Sequence, residues 1–420
     1  MKNAPTFQDS TEQWGSIYAI LKLQETYRMD VKEFTEGYKD SQKLQLYDIF
    51  LIGYFAMNKG YYALSVLWLE EAYSRWTKGL ETDLGQYNIT IMLQAITWNY
   101  NHLGDYKKCL HYSEIMFQTD PEYPGSRANY EYYQHLAEGP TESTESTESS
   151  NVDEEATKKD EDRFGNLDNR PWLKRNNKLC RREEEMLQAD KDKLWCDYFT
   201  NGRWQLLLKP LRREMLYLDP EVTYFHNLLS HEEVDHIVNH GTSYLKSAEV
   251  YNSHTGERST ADYRIGKSGW LHADAVIRRI MRRVHYATNM NMKYSEPLQV
   301  MNYGVGGNYE AHFDHATPPN TYNIFHPYAW GNRIATVLLY LSDVEKGGET
   351  VFTSTSPGII ANAVKGGSVV WYNLLRNGQS DERTKHAGCP VLLGEKWISN
   401  LWIHEWGQEF TRSCTLNPKQ

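Results

Sequence analysis

The sequence predicts an α+β chain of several domains, with an all-α part first and a strand-rich part last. Three observations predict it. MNKGYYALSVLWLEEAYSRW and NHLGDYKKCLHYSEIMFQTDP read as helical hairpins that align with each other at an offset of 44 residues. Residues 139–163, GPTESTESTESSNVDEEATKKDEDR, are acidic, of low complexity and free of aromatics, a composition that cannot bury enough apolar surface to fold. From Val300 to Glu405 the chain alternates β-branched and aromatic runs with Gly pairs, the pattern of short strands and tight turns. The expected boundaries are a helical segment over 1–45, helical hairpins over 46–138, a disordered linker over 139–167 and a strand-rich domain over 168–420. A length of 420 residues suits two or three domains.

Composition narrows the class. A hydrophobic content of 40% and thirteen Trp supply buried cores. Residues 141–162 hold nine acids against two lysines, so most of the net charge of −10 lies in the linker. The remainder, near neutral, offers no field for nucleic acid or a membrane surface. No run of 18 apolar residues exists, so no membrane insertion is expected. The opening MKNAPTFQDSTEQWGSIYAI lacks a charged region followed by an apolar one, and no secretory signal is visible. Ile17, Ile20, Leu21, Leu23 and Tyr27 fall at helical spacing.

The second hairpin matches the tetratricopeptide half-repeat. Gly104-Asp105-Tyr106 falls at the turn, Cys109 and Met116 where helices pack, and Asp120-Pro121 at the end. Two such units do not bury a core alone, so the flanking helices are expected to cap them. Thirteen of the thirty tyrosines lie between 45 and 138. Two readings of them stay open: helix-packing aromatics, or a concave groove for a proline-rich strand, which loses little entropy on docking. Asn88-Ile89-Thr90 is a glycosylation sequon.

In the last domain HisxAsp is followed by a second His and then a Lys. His312 and Asp314 are two apart at a strand end, and His386 follows 72 residues after Asp314. A strand sends residues i and i+2 to one face, and two imidazoles with one carboxylate form the three-donor face of a non-heme ferrous site. Lys396 lies in the strand-like KWISNLWIH, where a cation among inward apolar residues is costly unless an anion meets it. A dicarboxylic co-substrate would supply one. Gly304, Gly306 and Gly307 read equally as a mobile loop or an ordinary turn. Glu232, Glu233 and Asp235 read as a solvated first turn complementing a helix dipole, and the arginines of DAVIRRIMRRVHYAT as a solvated helix face backing the sheet.

These residues carry a resemblance. NYGVGG-Y, HFD, GNRIAT, YLSDVEKGGETVF, WYNL, HAGCPVL-G-KW-SN-W-HE and GQEF resemble the catalytic domain of the collagen-type prolyl 4-hydroxylase α subunits. The similarity extends back through ADYRIGKSGWL to LKLQETYRMD and covers nearly the whole chain. It implies a double-stranded β-helix (jelly-roll) dioxygenase domain with flanking helices, after a tetratricopeptide-like peptide-binding domain. It implies Fe(II) on His312, Asp314 and His386, and 2-oxoglutarate with its distal carboxylate on Lys396, Tyr303 and Thr336. It further implies O2 and L-ascorbate as requirements, and hydroxylation of proline to 4-hydroxyproline in procollagen-like X-Pro-Gly peptides. Arg127 matches a substrate-contacting Arg, while the family's Tyr face appears here as Ala95, Trp98 and Asn101. Protein disulfide isomerase as β subunit and the endoplasmic reticulum lumen also follow from the resemblance.

Two departures and two alternatives accompany it. His315 stands where the family has an aromatic residue after HFD, and the N-terminus is expected to be shortened, weakening contact between α chains. Cys180 and Cys196 flank a charged stretch, and Cys389 and Cys414 bracket the last strands; the residues leave pairing open, and the family implies two such intrachain disulfides with an odd thiol at Cys109. A catalytically inactive peptide-binding subunit that keeps the fold is the alternative function. A zinc hydrolase fits poorly, because Lys396 has no role there and a general base is missing.

Overall fold

The computed structural model of the protein describes residues 10–39, 42–137, 171–184, 188–247, 249–251, 258–260, 264–316 and 330–417. The expected linker lies outside the described residues. Contacts divide the chain into two units, Ile20–Asn169 and Met1–Ala19 with Arg170–Gln420.

The first helices are α1 (Ser10–Tyr27), α2 (Val31–Thr35), α3 (Leu46–Asn58), α4 (Tyr62–Thr77), α5 (Ile89–Leu103), α6 (Tyr106–Thr119) and α7 (Ser126–Ala137). The two hairpins are α3–α4 and α5–α6. A Cβ at Gly53 would stand 2.8 Å from Leu69 Cγ, so α3 and α4 cross where a larger residue would push them apart. Gly104, at φ 75°, ends α5, and Asp105 caps α6 by accepting the Lys108 N–H at 3.0 Å. Cys109 and Met116 are buried, as the repeat demands. Asn88 caps α5 through Ile91 N–H at 2.9 Å, and Thr90 of the sequon is buried.

In the second unit α8 (Pro171–Cys180) and α9 (Gln188–Lys191) precede eighteen strands among the described residues. Those up to the site are β1 (Cys196–Phe199), β2 (Leu211–Leu218), β3 (Glu221–His226), β4 (Lys246–Ser247), β5 (Glu249–Tyr251), β6 (Arg258–Thr260), β7 (Arg264–Ile265), β8 (Lys267–Leu271) and β9 (Leu298–Tyr303). Then come β10 (Asn308–His312), β11 (Arg333–Tyr340), β12 (Lys346–Gly347), β13 (Thr350–Phe352) and β14 (Ile359–Ala361). The last are β15 (Ser368–Tyr372), β16 (His386–Gly388), β17 (Val391–Leu393) and β18 (Lys396–His404). Helices α10 (His231–Thr242) and α11 (Ala275–Thr288) are inserted between them.

A nine-stranded sheet runs β1-β2-β3-β15-β11-β18-β9-β8-β4 and a five-stranded sheet β14-β13-β16-β10-β7, all pairs antiparallel. Residue parity explains the layers. Ala335, Val337, Leu339, Leu401 and Ile403 pack with Val234, Ile237, Ile277, Ile280 and Val284 of α10 and α11. Leu338, Tyr340, Met301, Tyr303 and Ile398 pack with Phe352, Ile359 and Ala361 of the smaller sheet. The site therefore lies between two facing sheets with helices behind the larger one, the predicted double-stranded β-helix.

Two expectations are corrected here. Glu233 is 2% exposed, not solvated, and accepts from Arg283 at 2.6 and 3.0 Å and from Arg279 at 3.0 Å. The basic face of α11 thus clamps α10, and these contacts hold the Glu233 carboxyl at about 2 although burial opposes its charge. The disulfide joins Cys180 to Cys389, Cα–Cα 5.6 Å, while Cys196 and Cys414 are exposed thiols and Cys109 a buried one. The family-implied pairs, Cys180–Cys196 and Cys389–Cys414, are not formed. The reason is topological: β1 carries Cys196 to the outer edge of the large sheet, whereas α8 lies on β13 and β14, one strand from β16.

Candidate metal centre and co-substrate cavity

His312 and His386 are register partners where β10 pairs with β16, with ring centroids 4.4 Å apart. Asp314 follows just after β10 and turns into the same space. His312 Nε2 lies 3.7 Å from Asp314 Oδ1, and His386 Nε2 lies 3.6 Å from Asp314 Oδ2. One donor atom from each of the three falls within 4.8 Å of the others. His312 Nδ1 lies 2.8 Å from the Glu310 carbonyl and His386 Nδ1 2.9 Å from the Thr384 carbonyl. A carbonyl only accepts, so each Nδ1 carries the proton and each Nε2 lone pair faces the shared space. Tyr309 stacks on His312 at 3.6 Å, and Trp371 meets His386 edge-on at 4.7 Å, which fixes both rings. This donor set fits a ferrous ion with positions left open. Burial opposes the charge of Asp314, whereas His386 and His312, when protonated, and the Arg333 guanidinium lower its pKa.

From these histidines a cavity reaches Lys396; Met301, Tyr303 and Thr350 also line it. Lys396 is 3% exposed, 6.0 Å from the Tyr303 ring and 5.9 Å from that of Tyr340. Burial lowers its pKa to about 8, with Glu349 acting in the opposite sense. No ion pair to it is formed among the described residues. Tyr340 donates its hydroxyl to Thr350 Oγ1 at 2.9 Å, which leaves the Thr350 proton for a further acceptor.

The expected residues divide accordingly. His312, Asp314 and His386 come together, and Lys396 and Tyr303 share the far end of the cavity. Thr336 does not join them. It pairs with Trp402 in the β11–β18 register, six residues along β18 from Lys396, and donates to Asp314 Oδ2 at 2.8 Å. Thr350, which follows Gly347-Gly348-Glu349 where β13 enters the smaller sheet, lines the cavity instead. The glycine segment is a turn, with Gly307 N–H to Gly304 O at 2.8 Å and Gly306 N–H to Val391 O at 2.7 Å. His315 is buried, its pKa lowered by that burial, and it stands outside the three-donor cluster.

In the helical unit Trp98 of α5 is 53% exposed and edge-on to His102, which stacks on Tyr62 at 4.1 Å. Arg127 of α7 is exposed over the Phe117 ring at 5.3 Å. The tyrosines differ in exposure. Tyr100 and Tyr112 are buried and donate to Glu70 at 2.6 and 2.9 Å, whereas Tyr106 and Tyr132 are exposed.

Comparison with known proteins agrees with this division. Residues 298–404 match the 2OG-Fe(II) oxygenase superfamily, and residues 46–139 match the prolyl 4-hydroxylase peptide-substrate-binding domain. Prolyl 4-hydroxylase subunit alpha-1 of Rattus norvegicus is 33% identical over 98% of this chain and 77% of its own length. Subunit alpha-2 of Caenorhabditis elegans is 36% identical over 96% and 72%. Among solved structures, the viral collagen prolyl hydroxylase of Paramecium Bursaria Chlorella virus-1 with 2OG is 25% identical, covering 43% of this chain and 94% of that one at a TM-score of 0.34. With relatives at this identity along nearly its whole length, the chain belongs to the prolyl 4-hydroxylase alpha-subunit family.

Proposed function

We propose that the chain hydroxylates proline to 4-hydroxyproline in procollagen-like X-Pro-Gly peptides, with 2-oxoglutarate decarboxylated to succinate. The observation that carries this reading is a single cavity with the two imidazoles of the His312–Asp314–His386 cluster at one end and, at the other, a buried lysine that forms no ion pair among the described residues. His312, Asp314 and His386 would hold Fe(II), leaving positions for 2-oxoglutarate and O2. Lys396 would meet the distal carboxylate, with Thr350 and Tyr303 on the same wall. Charge-assisted bonds there are short and strong, and a monocarboxylate would leave buried donors unpaired, so the wall selects a diacid. When bound, the iron supplies the oxidising power for an unactivated carbon. The chain's own residues orient, exclude water and hold the co-substrate; none needs to move a proton.

The exposed Trp98 and Arg127 support a peptide grip in the helical unit, an aromatic face for pyrrolidine rings and a charge for main-chain carbonyls. The Cys180–Cys389 disulfide supports an oxidising compartment, in line with the endoplasmic reticulum lumen. A dependence on ascorbate and assembly with protein disulfide isomerase complete the reading by family membership. The test is succinate release with Fe(II), 2-oxoglutarate and a Pro-Pro-Gly repeat peptide. Folded protein that releases none with any proline-rich peptide overturns it.

A further inference from the structure

We infer that Thr336 and Asn373 are positioning residues that fix the orientation of the Asp314 carboxylate at the metal, and thereby set how tightly iron is held. The inference rests on the iron reading above and reassigns Thr336 from the co-substrate to the metal. Asn373 Nδ2 lies 2.9 Å from Thr336 Oγ1, which lies 2.8 Å from Asp314 Oδ2. The direction of this relay follows from the groups themselves. An amide nitrogen only donates and an ionised carboxylate only accepts, so the single hydroxyl proton goes to Asp314.

All three residues are buried, so no water competes for these bonds. Thr336 stands on β11 and Asn373 just beyond its partner β15. The Asn373 backbone is pinned on both sides, N–H to Ile334 O at 2.9 Å and carbonyl to Asp381 N–H at 3.0 Å. The terminal torsion of an aspartate is otherwise broad. A hydroxyl held on Oδ2 stops that rotation, with Oδ1 3.7 Å from His312 Nε2 and Oδ2 3.6 Å from His386 Nε2, and it withdraws one Oδ2 lone pair from the metal. A carboxylate gripping through both oxygens would occupy a position that the co-substrate needs.

The test is a titration of the full chain with Mn(II) under anaerobic conditions, read by electron paramagnetic resonance, beside the KM for 2-oxoglutarate at saturating Fe(II). Thr336→Val, which keeps the shape and removes the hydroxyl, is expected to weaken Mn(II) binding by about 10–100-fold. Thr336→Ser is expected to restore it to within a few-fold, and KM for 2-oxoglutarate to stay near wild type. Unchanged Mn(II) affinity with a raised KM would place the hydroxyl on the co-substrate and overturn the inference. Should Thr336→Val fail to fold, Asn373→Ala leaves the hydroxyl unheld and is expected to cost about tenfold in Mn(II) affinity; no change there overturns it equally. Wild-type protein that binds Mn(II) no better than His312→Ala refutes the iron site itself, and this inference with it.

Discussion

Lys396 and Tyr303 are register partners across β18 and β9, and the ammonium sits 6.0 Å from the phenol ring with no carboxylate paired to it among the described residues. A fall from 10.5 to about 8 in the lysine pKa corresponds to about 3 kcal/mol against the charged form at neutral pH, at ~1.4 kcal/mol per unit. The fold carries that penalty until an anion arrives.

Co-substrate affinity should therefore depend on pH through Lys396. The lysine is charged below about 8, so affinity is fully present there. It declines as pH rises through that value, by about tenfold per unit until the raised pKa of the complex is reached. KM for 2-oxoglutarate measured from about pH 7 to 9.5 should show this rise. Lys396→Arg, which stays charged throughout, should flatten it. Lys396→Met should raise KM by about 100-fold yet raise the melting temperature of the co-substrate-free protein, because an uncompensated buried charge is gone. An unchanged KM in Lys396→Met removes the lysine from the site.

Acid stability should follow Glu233. Its carboxyl is lowered from 4.5 to about 2, so its contribution, about 3 kcal/mol, is present above 4.5 and lost as pH falls toward 2. Glu233→Gln should lower the melting temperature at neutral pH by roughly 6–12 °C, at 2–4 °C per kcal/mol. It should also flatten the acid limb of the stability profile. A variant with the wild-type acid limb would show that the Arg279 and Arg283 clamp is worth little.

The disulfide should couple redox state to the cavity. Cys389 lines the cavity and is bonded to Cys180 across 209 residues. Closing so long a loop contributes on the order of 2–5 kcal/mol. Cys180→Ser should lower the melting temperature and raise KM for 2-oxoglutarate, since β16 loses its tie to α8. Cys196→Ser, at an exposed thiol, should do neither. Equal effects of the two substitutions would show that Cys196 takes part in a bond.

Much of this site was legible in the sequence because its chemistry recurs at short range or in one strand. HisxAsp and KWISNLWIH announce themselves by residue type and period, and β18 runs over the very residues Lys396–His404. What stayed hidden depends on register between distant strands. Thr336 and Thr350 are both strand threonines near glycines or small residues; the β11–β18 pairing sets Thr336 beside Asp314, and the β13–β16 pairing sets Thr350 on the cavity wall. Asn373 enters through the β11–β15 pairing, and the Cys180–Cys389 bond through the docking of α8 on β13 and β14. The burial of Glu233 stayed hidden because a glutamate three residues after Ser230 reads as a first-turn acid whether solvated or not; here it both closes the capping box and meets Arg279 and Arg283.

The two threonines allow that register to be tested. Thr350 receives the Tyr340 hydroxyl at 2.9 Å and has its own proton to give inside the cavity. A hydrogen bond to a charged partner contributes about 1.5–3 kcal/mol, so Thr350→Val should raise KM for 2-oxoglutarate by about 10–100-fold. Mn(II) affinity should not move, because Thr350 touches none of the three metal-facing side chains. Tyr340→Phe should give a smaller rise, since it only frees Thr350 to rotate. The pattern expected is a double dissociation, with position 350 governing the diacid and position 336 the metal. If Thr350→Val instead weakened Mn(II) and left KM alone, Thr350 would act at the metal and not on the diacid.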